Sequence, residues 1–480
     1  MPVTRRSSAS HRSSASRQPG RAWIPAWIIA CVFLVVCAFA GGSSRPDAYQ
    51  LLLLRPVTVI CFGLLLVLAR GVAAPWVRPL YALLALFALS MAIQLIPLPP
   101  GIWVGLPGHD RFAAGLRLVG ADDVWRPISL IPDLTLNSLI ALLPVSFTLA
   151  AVSAITSEQR RWLVGVPILI AAVSAAVGLI QISGGTDSFA YFYRPTSDAL
   201  PVGLFANRNH QAVMLAIALP ALAVWTRMPA STTNHERLRL AIAAVLGLML
   251  VPLILVTGSR AGMVFGVLGL AAAFLLSRRP PAGRQPKRKR LAVLALWALP
   301  VMMVVVVILA GRAFSLDRIA GMGGADADLR VTATPIVLRI VRDFLPFGTG
   351  YGVFDTVFRS YEPDSFLHLS YYNRAHNDIL ETVMAGGLLG AVVLILFAIW
   401  WGRRAYAVVA QRSATPDGLL AQLGVVVSVM LVAASIVDYP LRTPIGAVVF
   451  TIACCWMARG AAGSQGAPAT PSVAFARPGR

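Results

Sequence analysis

Apolar stretches of roughly 17 to 25 residues, each long enough to cross about 30 Å of hydrocarbon as a helix, recur along the whole 480-residue chain. Twelve can be drawn, at approximately 22–41, 51–69, 79–97, 134–154, 162–182, 209–226, 238–256, 260–276, 291–311, 378–402, 418–437 and 444–459. The apolar run from 238 to 276 is too long for one span, and Gly258 and Gly262 place a turn inside it. The alternating hydropathy of β-barrel strands is absent. The composition agrees: 13% of residues are charged and 57% hydrophobic, whereas soluble globular chains carry about 25% charged residues. A soluble multidomain enzyme, a disordered protein and a secreted disulfide scaffold are excluded. The expectation is an all-α polytopic membrane protein with about twelve transmembrane helices.

The net charge of +21 raises the question of a nucleic-acid partner, and its distribution answers it. With the N-terminus inside, the inner segments hold 25 Lys and Arg, the outer segments hold 15, and Arg55 lies within a span. Seventeen acids fall on the outer side, and inside stand only Glu158, Glu236 and Asp417. The richest basic run, Arg278 to Arg290, therefore reads as a cytoplasmic topology anchor, with no nucleic acid implied and membrane lipids as its surroundings. The five cysteines, Cys31, Cys37, Cys61, Cys454 and Cys455, all lie inside expected spans and read as small apolar residues. The first span ends in Ala38-Phe39-Ala40, which mimics a signal-peptidase site, but its apolar stretch of about 19 residues exceeds that of a signal peptide. An uncleaved anchor is the reading preferred.

The expected organisation is a disordered cytoplasmic tail at 1–21, nine spans over 22–311, a large periplasmic loop at 312–377, three spans over 378–459 and a second cytoplasmic tail at 460–480. Further outer loops fall at 98–133 and 183–208, so the bulk outside the membrane, and with it the chemistry, is expected on the outer face. Within the largest loop Ile336, Val337, Ile340, Val341 and Phe344 recur at helical spacing, opposite Arg339, Arg342 and Asp343. That is an amphipathic helix expected to lie at the membrane surface. It leads into PFGTGYGVF, where Gly348, Gly350 and Gly352 alternate as in a flexible turn, with no strand and helix around it to make a dinucleotide site.

Helix N-termini carry partial positive charge and ordinarily attract acids, yet three outward-facing ones here begin with cations. They are Asn207-Arg208-Asn209-His210, Ser259-Arg260-Ala261-Gly262 and Arg374-Ala375-His376-Asn377. Free N–H groups joined to a guanidinium fork suit an anion such as a diphosphate, without a metal. The alternative is that these arginines snorkel to lipid head groups. Arg442, in Asp438-Tyr439-Pro440-Leu441-Arg442, either joins the cations or pairs with Asp438. His376 stands at the same face with an imidazole that can accept a proton from a hydroxyl and is a candidate general base, with Asn207, His210, Arg374 and Asn377 in support. Neither His210 nor His376 has a partner at metal-ligand spacing, so no zinc site and no cofactor is expected.

Taken in order and sidedness, these segments resemble the O-antigen ligase and O-antigen polymerase superfamily of bacterial inner membranes. The resemblance rests on Gly203 to His210, the Gly-Ser-Arg-Ala-Gly turn at 258–262, the glycine segment Pro346 to Phe354, and His376-Asn377 followed after eight residues by Gly386. Ile96 through Pro99, Trp125 through Pro127 and Asp438 through Arg442 are similar as well. It implies a C-type glycosyltransferase fold and a metal-independent, inverting reaction on an undecaprenyl-diphosphate-linked glycan at the periplasmic face. Arg208 and Arg260 would hold the diphosphate and His376 would activate the acceptor hydroxyl, most simply that of lipid A core. One departure from the family pattern is that the acidic residue usual before the glycine turn is replaced by Met384 and Ala385. Polymerases and protein O-oligosaccharyltransferases of the superfamily would use similar residues on other acceptors. A lipid-linked sugar transporter and a scaffold remain as competing classes, distinguished by whether His376 and the two arginines are needed.

Overall fold

The computed structural model describes residues 23–68, 74–185, 188–194, 200–278, 325–364 and 372–460. The expected span 291–311, the basic run beyond Arg278 and most of both tails lie outside these residues. The helices of the bundle are α1 (Trp23–Ala40), α2 (Leu51–Leu68), α3 (Arg78–Ile93), α4 (Pro132–Ile140), α5 (Leu143–Ala154), α6 (Gly165–Gly184), α7 (Arg208–Trp225), α8 (Thr233–Val256) and α9 (Arg260–Ser277). After them come α10 (Ala325–Phe344), α11 (Phe354–Arg359), α12 (Asp378–Gln411), α13 (Pro416–Val437) and α14 (Pro444–Gly460). Among the described residues, eight helical segments are long and apolar enough to cross a membrane, while α1 and α14 are shorter apolar helices. The chain is an all-α polytopic membrane protein.

One expected span is built differently. The stretch 134–154 is two helices, because Pro144 supplies no N–H to continue the ladder and the chain turns at Ala141 and Leu142.

Polar residues start five of these helices. Asn207, Thr232, Ser259, Asn377 and Thr415 each accept a backbone N–H in the first turn of α7, α8, α9, α12 and α13. The centre of the bundle is α7, whose side chains from His210 to Val224 are all buried among its neighbours. Its approach to α9 depends on glycine: a Cβ on Gly262 would lie 2.3 Å from the Cβ of Ala212, and one on Gly269 would lie 2.5 Å from the Ala216 carbonyl oxygen. On the other side, α13 and α14 close with Gly424 against the Ala453 carbonyl.

The 34-residue helix α12 is interrupted at Gly387, which takes φ 57° and ψ −142°. The glycine segment fills this break. Thr349 N donates to Met384 O at 3.1 Å, Gly350 N to Ala385 O at 3.0 Å, and Leu388 N to Pro346 O at 2.9 Å. Gln94 on the turn after α3 adds its Nε2 to Ala385 O at 2.7 Å. A Cβ on Gly348 would lie 2.4 Å from Ala385 O, so side chains are excluded there sterically as well as by its φ of 80°. The segment expected to be a flexible turn is thus a turn, but one buried from Gly348 to Tyr351 that satisfies the carbonyls of a broken helix. Met384 and Ala385 occupy the break as buried apolar residues, where a carboxylate would lack solvent.

A cap of short elements covers one end of the bundle. Residues Pro97–Leu98 pair antiparallel with Arg126–Pro127, and Trp103 donates its indole N–H to Pro127 O at 2.8 Å. The amphipathic helix α10 buries Ala333, Val337, Ile340 and Phe344 against Phe354, Val357 and Phe358 of α11 and Met384 of α12. Its apolar face is covered by protein, in place of the membrane surface expected from the sequence, because α11 and the α12 break bring an apolar wall against it.

His109 is buried in this cap between Trp103 (ring centroids 4.6 Å apart) and Phe344 (6.0 Å). Burial holds its imidazole down at about 4, against a smaller opposing influence of Asp110. The folded group therefore binds its proton less readily than the unfolded one, and the cap is expected to lose stability as pH falls from about 6.5 to about 4. The loss should reach about 3 kcal/mol and then level off. Thermal melts of the purified protein across this range check it, with His109→Phe expected to flatten the dependence; an equally steep dependence in the variant would refute the assignment.

Candidate active site

The N-termini of α7, α9 and α12 and the turn between α13 and α14 meet at one end of the bundle. Asn209, in the first turn of α7, joins three of them. Its Oδ1 accepts the Ser259 hydroxyl at 2.7 Å, and its Nδ2 donates to Asp438 Oδ2 at 2.7 Å. Asn207 caps the same helix through the Asn209 N–H at 2.8 Å and places its own Nδ2 3.4 Å from Asp438 Oδ2. Ser259 accepts the Gly262 N–H at 2.9 Å while donating to Asn209, so the starts of α7 and α9 are held in register. The loop after α1 closes this layer, since Gly42 O accepts Ala206 N at 3.1 Å and Gly41 O accepts Ile445 N at 3.1 Å.

Arg208 and Arg260 are the first residues of α7 and α9. Arg208 is half-buried and lies over the turn that starts α9, its Nη1 3.7 Å from where a Cβ on Gly258 would stand. Arg260 is exposed at the tip of α9. The starts of α7 and α9 are thus adjacent.

His376 stands across from them on the approach to α12. Its Nδ1 lies 3.3 Å from Asp438 Oδ1, and His210 Nε2 lies 3.9 Å from the same oxygen. Asp438 is buried at 3% exposure, whereas the His376 side chain keeps 19%. The His376 ring is flanked by Tyr372 and Tyr439 at centroid distances of 5.3 and 5.1 Å. Burial would raise the Asp438 carboxyl, but the two imidazoles and the Asn209 amide outweigh it and hold the group well below the usual carboxylate range. A buried carboxylate that stays ionised faces one nitrogen of a partly exposed imidazole, which leaves the other nitrogen to take a proton. His376 has φ 49°, a left-handed backbone that histidine adopts rarely and that clusters at functional sites.

The remaining cations of the sequence pattern are neutralised within the protein. Arg442 pairs with Asp378 at 2.6 Å and with Glu381 at 3.2 Å, in place of either arrangement expected for it. Arg374 pairs with Glu381 at 3.1 Å and donates to Ser44 O at 3.3 Å. Both are therefore structural cations, since Asp378 and Glu381, at the start of α12, supply the counter-charge. Asn377 accepts the Leu380 N–H at 2.9 Å as the cap of α12. Asp438 is the residue whose centrality the sequence did not reveal; it was legible only as an acid closing an apolar span beside an arginine.

Residues 243–395, which run from α8 through the first half of α12 and include Arg260 and His376, match the family model described as O-antigen ligase. No curated protein matches the chain.

Proposed function

We propose that this chain, a member of the O-antigen ligase and polymerase superfamily, transfers an undecaprenyl-diphosphate-linked glycan to an acceptor hydroxyl at the periplasmic face of the bacterial inner membrane. The acceptor in this reading is lipid A core, and the architecture is a C-type glycosyltransferase of about twelve spans. One observation carries it: Asn209 links the arginine-bearing starts of α7 and α9 to the carboxylate that faces His376. An anion site and a proton acceptor are thereby held against each other.

In the reaction, His376 takes the proton of the acceptor hydroxyl through the nitrogen turned away from Asp438. The hydroxyl oxygen bonds to the sugar carbon as the carbon–oxygen bond to the diphosphate breaks, with inversion. The leaving diphosphate carries the departing electron pair and is met by Arg208, Arg260 and the N–H groups of their helix starts. Asp438 steadies the imidazolium that forms, and no metal is assigned a part.

The test is transfer by purified protein, with an undecaprenyl-diphosphate glycan as donor, lipid A core as acceptor and EDTA present. Labelled lipid A core formed in EDTA supports the proposal. Lengthened donor glycan without labelled core would overturn the ligase assignment in favour of a polymerase, and donor movement without bond formation would overturn both in favour of transport.

A further inference from the structure

The geometry points to Glu381 as the residue that positions His376 against Asp438. Glu381 is in the first turn of α12, buried at 2% exposure. Its Oε2 accepts the backbone N–H of Ala375 at 3.0 Å, and its Oε1 meets Arg374 at 3.1 Å and Arg442 at 3.2 Å. Ala375 adjoins His376 in the chain, and Arg442 lies in the turn that follows Asp438. One carboxylate therefore grips both backbone segments that carry the pair, and so sets the 3.3 Å between imidazole and carboxylate.

The left-handed backbone of His376 explains why such a grip is needed. A histidine relaxes out of that conformation unless its surroundings hold it. Asn377 pins the turn on the α12 side through Leu380 N, and Glu381 pins it on the other side through Ala375 N. Asp378 completes the balance by taking the second charge, so two guanidiniums face two carboxylates in the buried cluster. A carboxylate serving the fold alone would satisfy the arginines; the bond to the Ala375 N–H is the contact that reaches the histidine.

The kinetic part of this inference rests on the transfer reaction proposed above, whereas the state of the imidazole does not. Two measurements on the purified full chain separate them: the rate at which diethyl pyrocarbonate modifies His376, followed by peptide mass spectrometry, and kcat with donor KM. Glu381→Ala is expected to free the ring from between its tyrosines and speed modification several-fold. Its kcat should fall about 100-fold, the cost of displacing a reacting group by about 1 Å, with donor KM within about threefold. Glu381→Gln keeps an oxygen for the Ala375 N–H and should stay near wild type in modification rate. Glu381→Asp, which keeps the charge but withdraws it by one methylene from Ala375, serves where the alanine variant does not fold, and should behave as that variant. Modification of His376 at the wild-type rate in both shortened variants would overturn the inference. Faster modification with unchanged kcat would uphold the positioning and instead refute His376 as the base.

Discussion

His376→Ala and Asp438→Asn are each expected to lower the glycan-transfer rate by about 10²- to 10⁴-fold, the range over which a positioned general base contributes. The double variant should be no worse than the poorer single one. The reason lies in the contact at one oxygen: Asp438 Oδ1 is 3.3 Å from His376 Nδ1, so the carboxylate acts on the proton transfer through that ring, while its other oxygen holds Asn209, a contact that asparagine preserves. Asparagine keeps the shape and can still meet Asn209, but turning its NH₂ group toward Nδ1 makes that nitrogen an acceptor and puts the ring proton on the catalytic side. The imidazole is then in the wrong tautomer to receive a proton. Residues that work as one unit lose their effect once, so their losses do not add. Turnover at saturating donor measures the effect, and donor affinity by equilibrium binding should stay within about threefold. Additive losses in the double variant, or an Asp438→Asn enzyme close to wild type, would break the proposed link between the two residues.

What could be read from the sequence follows from which forces act locally. Hydrocarbon demands helices of a given length, so α1, α2, α3, α6 and α13 fall close to their expected spans. Helix starts are local too, and the pattern at Asn207-Arg208 and Ser259-Arg260 located both N-termini. The meeting of charges was not legible, because it depends on contacts far apart in the chain. Asn209 and Asp438 are 229 residues apart, and Arg442 and Asp378 are 64 apart. Read along the chain, Asp378 and Glu381 are ordinary acids at a helix start and Arg442 is one more cation at a membrane boundary. Only their packing shows that Arg374 and Arg442 are consumed by the fold while Arg260 stays exposed. The glycine segment was misjudged for a related reason: the partner that makes Gly348 rigid is a break in α12, and although Gly386 and Gly387 mark a turn there, nothing beside them says which distant segment fills it.

Arg260→Lys is expected to slow transfer by about 30- to 1000-fold, equivalent to roughly 2 to 4 kcal/mol of barrier, although the formal charge is unchanged. A guanidinium offers a planar fork that binds two oxygens of a diphosphate at once, whereas an ammonium is a point charge with a tight water shell. The position sharpens the difference. The first N–H groups of an α-helix have no partners within it, and at α9 Ser259 already accepts that of Gly262. The guanidinium therefore works beside a tip that offers further donors to the same anion, and a shorter reach or a lost second bond displaces the diphosphate from them. Because charge builds on the diphosphate as the sugar bond breaks, the loss should fall mainly on kcat and only secondarily on donor affinity. Arg342→Lys, at a side chain 79% exposed on α10, is the matched control and should leave both within about twofold. If Arg260→Lys transfers glycan at the same rate as that control, Arg260 is a boundary cation in contact with lipid head groups and the anion site must be sought elsewhere.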